Sequence, residues 1–418
     1  MRIVIHRGAH QIGGTCIEVA TDSTRIILDA GLPLDADPSG PLPLPNVPGL
    51  WSKGEKPVDA LFLTHAHADH SGLVRASQSE ISVYLTTDTS KLLLAGSLFA
   101  RQPQVPRKRG KRLEAGKPVQ IGNLCVTAFP VDHSTQGAVA FLVEDGQHRL
   151  FYTGDLRFHG RWPKRAVAIQ EALSSKPLDA LLIEGTRFGE RASEKNESES
   201  QLLERMEKRC REHEGPVFVS YSPLHVDRFR TLHDLATRLG RRFVIDPYQD
   251  FVLHLLRGDL PRPSEEGRLC TVLMPDAWSP AALNWLKNKA WFTEMHTRAL
   301  RPEEVRAFWE RAVVLYRPSM DNWLFEGMYP SNSLFLYSYW TGYLKQEAQK
   351  AWLAKVRAFG AKMESAHASG HAHPDDLLGF VNAIKPRVLV PVHTEHPQAW
   401  AKAYPLTRLV ADGEVLEV

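Results

Sequence analysis

Residues 61–70 read Leu-Phe-Leu-Thr-His-Ala-His-Ala-Asp-His, an apolar run that ends in three histidines and an aspartate. The apolar part predicts a short buried strand that leads directly into these polar side chains. Because side chains two apart on an extended chain point the same way, His65 and His67 can bind one metal ion. Asp69 and His70 follow the turn towards a predicted helix, so they face another way and can serve a second ion. An exposed polar loop is the alternative, but this spacing is typical of a metal site.

Two more ligand-type side chains come directly after predicted strands. His133 follows a strand, and it can be the third nitrogen ligand of the ion that His65 and His67 bind. Asp155 follows the second strand of a predicted hairpin, where a carboxylate can bridge two cations. Nitrogen and oxygen ligands without thiolate suit zinc best, with manganese or iron as alternatives. Because two such ions activate a water for attack, the sequence predicts a hydrolytic centre.

The composition is that of an ordinary globular protein, long enough for two domains or for one domain with a large insertion. Of its 418 residues 43% are hydrophobic and 24% are charged, and the net charge of +3 is too small to imply a polyanionic partner without local clustering. The sequence shows no signal-like apolar start and no run that could span a bilayer, so we expect a cytoplasmic protein without a membrane partner. The four cysteines are expected to be buried thiols: Cys16, Cys125, Cys210 and Cys270.

The character of the chain changes partway along. A polar stretch without periodicity is followed by Ser198-Glu199-Ser200-Gln201, a capping box that opens a helix. Strands and helices then alternate up to a long helix predicted over 343–359, and this order predicts a small parallel α/β sheet. We therefore predict an inserted domain over residues 188–360, with residues 1–187 and 361–418 forming the first domain.

The histidine-rich segment resembles the signature of the metallo-β-lactamase superfamily. Later motifs extend the resemblance to the β-CASP nucleases of that superfamily, the ribonuclease J-like and cleavage-and-polyadenylation endonuclease-like enzymes. The resemblance covers essentially the whole chain and is looser within the insertion. It implies an α/β fold, a metallo-β-lactamase αββα sandwich with an inserted β-CASP α/β domain. It rests on the following motifs: Thr64–His70, Asp132-His133, Gly154-Asp155, Glu184-Gly185-Thr186, His367–His371 and Pro391–His396.

The resemblance also implies roles that spacing alone does not define. Asp29 would support the metal ligands by hydrogen bonds, although the sequence alone fits an aspartate that caps a turn nearly as well. His393 would complete the second metal site. Glu184 would orient His371, which would donate the proton to the leaving 3′-oxygen. A histidine bonded to the backbone before a helix is the alternative for His371. The catalytic residues are thereby Asp69, Glu184 and His371.

Single-stranded RNA is the predicted substrate, with DNA as the alternative. Within the family, a histidine such as His393 at the last motif is typical of the RNA-acting branch, whereas DNA-repair members usually carry valine. By the same resemblance His367 and Ser369 would hold a substrate phosphate. The basic run Arg107–Arg112 fits either a solvated turn or a contact with phosphates, and Arg317 can pair with a phosphate.

We therefore predict an enzyme, a ribonuclease that hydrolyses phosphodiester bonds with a water activated by two zinc ions. Three alternatives are a DNA exonuclease of the same fold, a catalytically silent RNA-binding β-CASP paralogue, and a small-molecule hydrolase such as a lactonase. The complete ligand set argues against the silent paralogue. The pair Glu184 and His371 and the large insertion argue against a small substrate, which needs neither. The sequence leaves open the oligomeric state and whether cutting is internal or from an end.

Overall fold

The computed structural model describes the chain except residues 38–39, 54–56, 101, 103, 190–195, 265–266, 275–278, 328 and 346, and the side chains of 281 and 348. The described residues form two compact units. The first consists of Met1–Asn196 with Gly370–Val418, and the second of Glu197–Ser369. The predicted domain boundaries after residues 187 and 360 come earlier along the chain than these divisions, and they stay a prediction.

Two sheets form the centre of the first unit. The first sheet contains β1 (Arg2–Arg7), β2 (Cys16–Ala20), β3 (Arg25–Leu28), β4 (Ala60–Phe62), β5 (Ser82–Thr86), β6 (Gly110–Leu113) and β19 (Val415–Glu417). The second sheet contains β7 (Pro118–Ile121), β8 (Leu124–Pro130), β9 (Val139–Glu144), β10 (Arg149–Tyr152), β11 (Ala180–Glu184) and β18 (Val388–Val392). Their strand orders are β19-β1-β2-β3-β4-β5-β6 and β18-β11-β10-β9-β8-β7.

Apolar side chains of both sheets share one buried core. Ile17 and Phe62 of the first sheet belong to it together with Val126 and Phe141 of the second, and the rings of Phe62 and Phe141 pack edge to face. A second core covers the other face of the second sheet. The helices of this unit are α1 (Ala68–Ser71), α2 (Thr87–Phe99), α3 (Lys164–Ser174), α12 (Pro374–Ile384) and α13 (Pro397–Ala403). This layering confirms the predicted αββα sandwich.

Parallel pairing brings several strand ends to one edge of each sheet. In the first sheet β3, β4, β5 and β6 are parallel neighbours, and in the second β10, β11 and β18 are parallel neighbours. The carboxyl ends of parallel strands lie at the same edge, where the following loops meet. Asp29, Thr64, Asp155, Glu184 and His393 all stand at such ends.

The second unit contains one parallel sheet flanked by helices. Its strands are β12 (Val217–Ser220), β13 (Arg242–Ile245), β14 (Leu269–Thr271), β15 (Ala312–Leu315), β16 (Leu334–Tyr337) and β17 (Lys362–Ser365), in the order β14-β13-β15-β12-β16-β17. Its helices are α4 (Glu199–Arg211), α5 (Val226–Arg238), α6 (Pro247–Leu256), α7 (Pro280–Leu286), α8 (Ala290–Arg298), α9 (Pro302–Arg306), α10 (Asp321–Leu324) and α11 (Glu347–Ala358). All its strand pairs are parallel, as predicted, and Ser198 caps α4 in the predicted capping box.

Two details differ from the sequence-based expectations. The helix predicted over 343–359 is a 3-10 segment, Thr341–Lys345, followed by α11. By the predicted boundaries β17 lies in the first domain, but it pairs in parallel with β16 of the second unit, with Leu334 opposite Lys362. This pairing is non-local, so the sequence around residue 361 carries no sign of it. Among the described residues, none of the helices is long and apolar enough to cross a bilayer.

Candidate metal centre

Three histidines and an aspartate of the first unit converge at the carboxyl edge of its strands. Nδ1 of His67 lies 3.2 Å from Nε2 of His65 and 3.1 Å from Nε2 of His133. The Asp155 carboxylate lies 3.7 Å from the same His65 nitrogen. One ligand atom from each residue lies within 4.8 Å of all the others. The structure therefore brings together the four residues that we predicted for one ion.

Hydrogen bonds on the far side of two of these rings define which nitrogen carries the proton. The hydroxyl of Thr64 donates to Asp29, so Nδ1 of His65, 2.9 Å away, must donate to that hydroxyl oxygen. Nδ1 of His133 lies 2.7 Å from the carbonyl oxygen of Gly370, which can only accept. Nε2 of each ring is therefore unprotonated and carries a lone pair directed at the common point. Converging lone pairs are what a cation requires.

A second group shares Asp155 with the first. It contains Asp69, His70, Asp155 and His393, again with ligand atoms within 4.8 Å of one another. Nε2 of His393 lies 3.2 Å from Asp69, and Nε2 of His70 lies 3.2 Å from Asp155. Nε2 of His70 and Oδ1 of Asp155 are buried, and neither makes a contact with hydrogen-bond geometry to the described residues, although Nε2 of His70 is close to the other Asp155 oxygen. A bound cation would give both atoms a partner, so the residues fit a metal.

Asp29 orients the second group through hydrogen bonds on the side away from the ligand atoms. It follows β3 in a left-handed conformation, φ 63°, which aspartate tolerates better than most residues. Its carboxylate accepts four hydrogen bonds, from the amide and hydroxyl of Thr64 at 2.8 Å each, from Nδ1 of His70 at 2.8 Å, and from the phenol of Tyr152 at 2.9 Å. Since Nδ1 of His70 donates to Asp29, Nε2 of that ring faces the metal group.

His393 is held in a similar way at the end of β18. Its backbone also has a positive φ of 52°, and its amide donates to the carbonyl oxygen of Gly8 at 2.7 Å. The hydroxyl of Thr186 lies 2.8 Å from Nδ1 of the ring. These contacts direct Nε2 of His393 towards Asp69.

Burial and neighbouring charges set opposite protonation tendencies within the centre. Burial lowers the pKa of His65 and His133 well below that of a free histidine, and neighbouring histidines contribute in the same direction. Burial also lowers the pKa of His67. Neutral histidine is the form that binds metals. Burial acts on His70 as well, but the carboxylates around it, Asp155 first, raise its pKa well above the usual value.

Glu184 and His371 form a pair beside the second group. Nδ1 of His371 lies 3.1 Å from each oxygen of the Glu184 carboxylate, which also accepts from the amides of Leu156 and Thr186. A third set of mutually close ligand atoms consists of these two residues and His393. Although burial lowers the pKa of His371, the Glu184 carboxylate and then Asp155 raise it to about 9.

A buried ion pair joins the loops that carry two of the ligands. Nε of Arg157 donates to Asp132 at 2.9 Å, and both side chains are almost fully buried. The amide of Arg157 donates to the Asp132 carbonyl oxygen at 2.7 Å. Because Asp132 precedes His133 and Arg157 follows Asp155, this pair fixes the two ligand loops relative to each other.

His367 and Ser369 belong to the second unit, where Nδ1 of His367 lies 3.3 Å from the carbonyl oxygen of Ser338. Within the same unit Arg317, a weaker phosphate candidate, donates to Asp246 at 2.6 Å. None of these contacts tests the phosphate-binding role predicted for His367, Ser369 and Arg317, which stays a prediction.

Sequence reasoning missed three residues of the metal centre. Tyr152 supports Asp29, Thr186 orients His393, and Arg157 holds Asp132. Tyr152 could have been found, since a tyrosine at the end of a buried strand needs a partner for its hydroxyl. Thr186 belongs to the Glu184-Gly185-Thr186 motif, but nothing local indicates that it contacts His393. No local pattern marks Arg157, because its partner Asp132 is distant along the chain.

Comparisons with known proteins agree with this geometry. The family "Beta-lactamase superfamily domain" matches residues 24–215, and the family "Zn-dependent metallo-hydrolase RNA specificity domain" matches residues 359–403. A crystal structure of a protein of unknown function from Enterococcus faecalis V583 has the same fold, with a TM-score of 0.78 at 22% identity over 99% of both chains.

Three curated relatives share parts of the sequence. Ribonuclease J of Mycobacterium tuberculosis is 24% identical over 411 residues, which are 94% of this chain and 68% of that protein. Transcription termination factor FttA of Methanothermobacter thermautotrophicus is 26% identical over 226 residues, 48% of this chain and 34% of that protein. An RNase J-like protein of Methanocaldococcus jannaschii is 34% identical over 161 residues, 36% of this chain and 35% of that protein.

The fold and the histidine–aspartate centre are those of a metal-binding hydrolase. The two family matches and the ribonuclease J and FttA relatives together support a place for the chain in the metallo-β-lactamase superfamily, among its ribonuclease J-like β-CASP proteins.

Proposed function

We propose that this protein is a zinc-dependent ribonuclease that hydrolyses phosphodiester bonds of single-stranded RNA. The observation that carries the proposal is the pair Glu184 and His371 beside two ligand groups that share Asp155. Such a combination suits the hydrolysis of a phosphodiester, in which an alkoxide leaving group needs a proton. The likeness to ribonuclease J over 94% of this chain supports RNA as the substrate.

Each ligand group would hold one ion. His65, His67 and His133 would bind the first, and Asp69, His70 and His393 the second, with Asp155 shared between them. Zinc suits nitrogen and oxygen donors of this kind, and manganese is the second choice. When bound, the two ions supply Lewis acidity and an activated water.

Asp69 and Glu184 would act on different protons: Asp69 on that of the attacking water, and Glu184, through His371, on the one that the leaving group receives. The Asp69 side chain is the more accessible of the two metal-group carboxylates, 15% exposed against 1% for Asp155. Asp69 therefore orients the attacking water. Glu184 accepts from Nδ1 of His371, so that Nε2 of this ring holds the proton for the leaving 3′-oxygen. His367 and Ser369 hold a phosphate of the RNA in this proposal.

The test follows 5′-labelled RNA during cleavage by the zinc-loaded wild type and by a His371→Ala variant. We expect the variant to lose about 10²–10⁴-fold in kcat because it lacks the general acid, while its metal content stays that of the wild type. His148→Ala is the control, because His148 lies in a hairpin turn and pairs with Asp145. An unchanged rate in His371→Ala would refute the role of this histidine.

The same assay separates the alternatives. A matched single-stranded DNA that is cut faster than the RNA would replace RNA by DNA as the substrate. RNA binding without any cleavage, in a protein that purifies without metal, would identify a silent paralogue. A ladder of intermediates would mean internal cuts, and immediate release of mononucleotides would mean exonuclease action from the 5′ end.

A further inference from the structure

We infer that the basic run at the edge of the first sheet is a second contact surface for single-stranded RNA, outside the metal centre. This inference rests on the proposed function and extends it to substrate binding. The run consists of Arg107, Lys108, Lys111 and Arg112, which are all exposed, and of Arg109, which is not. We call the four exposed residues the edge cations.

The edge cations are available for a partner. In the described part of the chain, Arg112 has one carboxylate contact, 3.9 Å to Glu114, and Glu114 makes a closer ion pair with Lys117. The other three edge cations have no ion-pair partner among the described residues. Two exposed arginines elsewhere are neutralised by close partners: Arg205 pairs with Glu197 at 2.7 Å and Arg387 with Asp179 at 2.7 Å. The charges of Arg107, Lys108 and Lys111 are therefore not neutralised by the described part of the protein, and that of Arg112 is only weakly compensated.

Arg109 fixes the backbone that presents these charges. Its guanidinium is buried and donates to the hydroxyl of Ser77 at 2.7 Å, to the Ser77 carbonyl oxygen at 3.3 Å and to the carbonyl oxygen of Ile81 at 3.1 Å. The turn before β6 is thereby tied to the sheet. A preordered row of charges loses less conformational entropy on binding than a flexible tail.

The position of the row relates it to the metal centre. β6 has a strand neighbour on one side only in the described structure, and it runs parallel to β5 and β4. Lys111 is opposite Tyr84, and Tyr84 is opposite Phe62, three residues before His65. With about 3.3 Å per residue and about 4.8 Å between strands, the backbone of Lys111 lies roughly 14 Å from that of His65.

Arg107 and Lys108 lie in the turn before β6, and Lys111 and Arg112 lie on the strand, where neighbouring side chains point to opposite faces. The run of edge cations leads from the far end of β6 towards the edge where the ligands lie. A single strand held at the metal centre could therefore continue along it. Contacts to phosphate read no base, so they would add affinity for long RNA without sequence preference.

The experiment compares R107Q/K108Q/K111Q/R112Q with a control of the same charge change, K164Q/K176Q/K385Q/K402Q, whose lysines are exposed and scattered over the first unit. Binding to RNAs of about 5 and about 30 nucleotides is measured at several salt concentrations on the zinc-loaded protein, with phosphorothioate-linked RNA that resists cleavage. Unfolding temperature and size-exclusion elution report the fold and the oligomeric state.

We expect the edge variant to bind the long RNA about 10-fold or more weakly and to lose about 3 from the slope of log K against log salt. The short RNA should change much less, and the control variant should bind both as the wild type does. Unchanged binding of the long RNA would overturn the inference. Unchanged RNA binding together with new oligomers of the edge variant would also overturn it, because the charges would then serve only to keep the edge strand from pairing with another chain.

The proposed function fails separately from this inference. A wild type that binds RNA through the edge cations but never cleaves it would leave the inference standing and remove the nuclease. If the wild type and the edge variant cleave long RNA at the same rate and with equal KM, the nuclease would stand and the inference about the edge cations would fall.

Discussion

In an Asp29→Asn variant, an amide replaces a buried carboxylate that accepts four hydrogen bonds, one on Oδ1 and three on Oδ2. The asparagine oxygen can face the three donors from Thr64, His70 and Tyr152, but its NH2 group then faces the amide of Thr64. That buried amide loses its acceptor, which costs about 1–3 kcal/mol. The remaining bonds lose their charge assistance. We expect the free energy of unfolding to fall by about 3 kcal/mol.

The same change should weaken metal binding. Asp29 holds Nδ1 of His70, and residues that orient a metal ligand in this way typically contribute 10–100-fold to metal affinity. We therefore expect zinc affinity, measured by competition with a chromogenic chelator, to fall by about this factor at the second ligand group. Nuclease activity at limiting zinc should fall with it and recover in part at high zinc.

Asp250→Asn is the matched control for this prediction. Asp250 is a buried aspartate of the second unit that accepts from the indole of Trp291 at 3.1 Å and from Arg298 at 2.9 Å. Its replacement should cost a comparable free energy of unfolding but leave zinc affinity unchanged. The reasoning is refuted if Asp29→Asn retains wild-type zinc affinity, or if Asp250→Asn loses as much affinity as Asp29→Asn does.

Three further outcomes are expected. Although burial raises the pKa of Glu18, hydrogen bonds from His6 and Arg25 lower it to about 2, so this group stabilises the fold above about pH 4.5 and loses that effect as the pH falls towards 2. Glu18→Gln should therefore cost about 1 kcal/mol at pH 7 and much less near pH 2, where the carboxylate is about half protonated, as urea unfolding at both pH values will show. Arg157→Met removes the ionic partner of the buried Asp132 and should lower the free energy of unfolding by about 3–5 kcal/mol in the same assay. An unchanged urea midpoint would contradict the conclusion that this ion pair fixes the two ligand loops relative to each other. Removing metal with a chelator should lower the unfolding temperature by about 5 °C, with recovery on adding zinc, because the facing lone pairs and carboxylates then repel each other.

Most of the proposed ligands stand out in the sequence because they follow a recognisable strand, whereas Asp69 and His70 lie where the chain turns into a helix. His65 and His67 follow an apolar run with the period of an extended chain, His133 follows a strand, and Asp155 follows a hairpin strand. The grouping of the ligands into two sets around Asp155 follows from that placement. Contacts that join distant parts of the chain could not be predicted, because no local pattern records them. The contact between Thr186 and His393 and the pairing of β17 with β16 are of this kind.

Backbone conformation is the other property that the sequence concealed. Asp29 and His393 both have a positive φ directly after a strand, a conformation that costs a non-glycine residue about 1–3 kcal/mol and occurs mainly where the surroundings enforce it. In each case several hydrogen bonds hold the residue: four to the Asp29 carboxylate, and the contacts from Gly8 and Thr186 at His393. The turn bends the chain away from the strand while the side chain stays at the sheet edge. Glycine would adopt this conformation without strain but offers no ligand. Strain at these two positions is therefore a consequence of placing a functional side chain where the chain must turn.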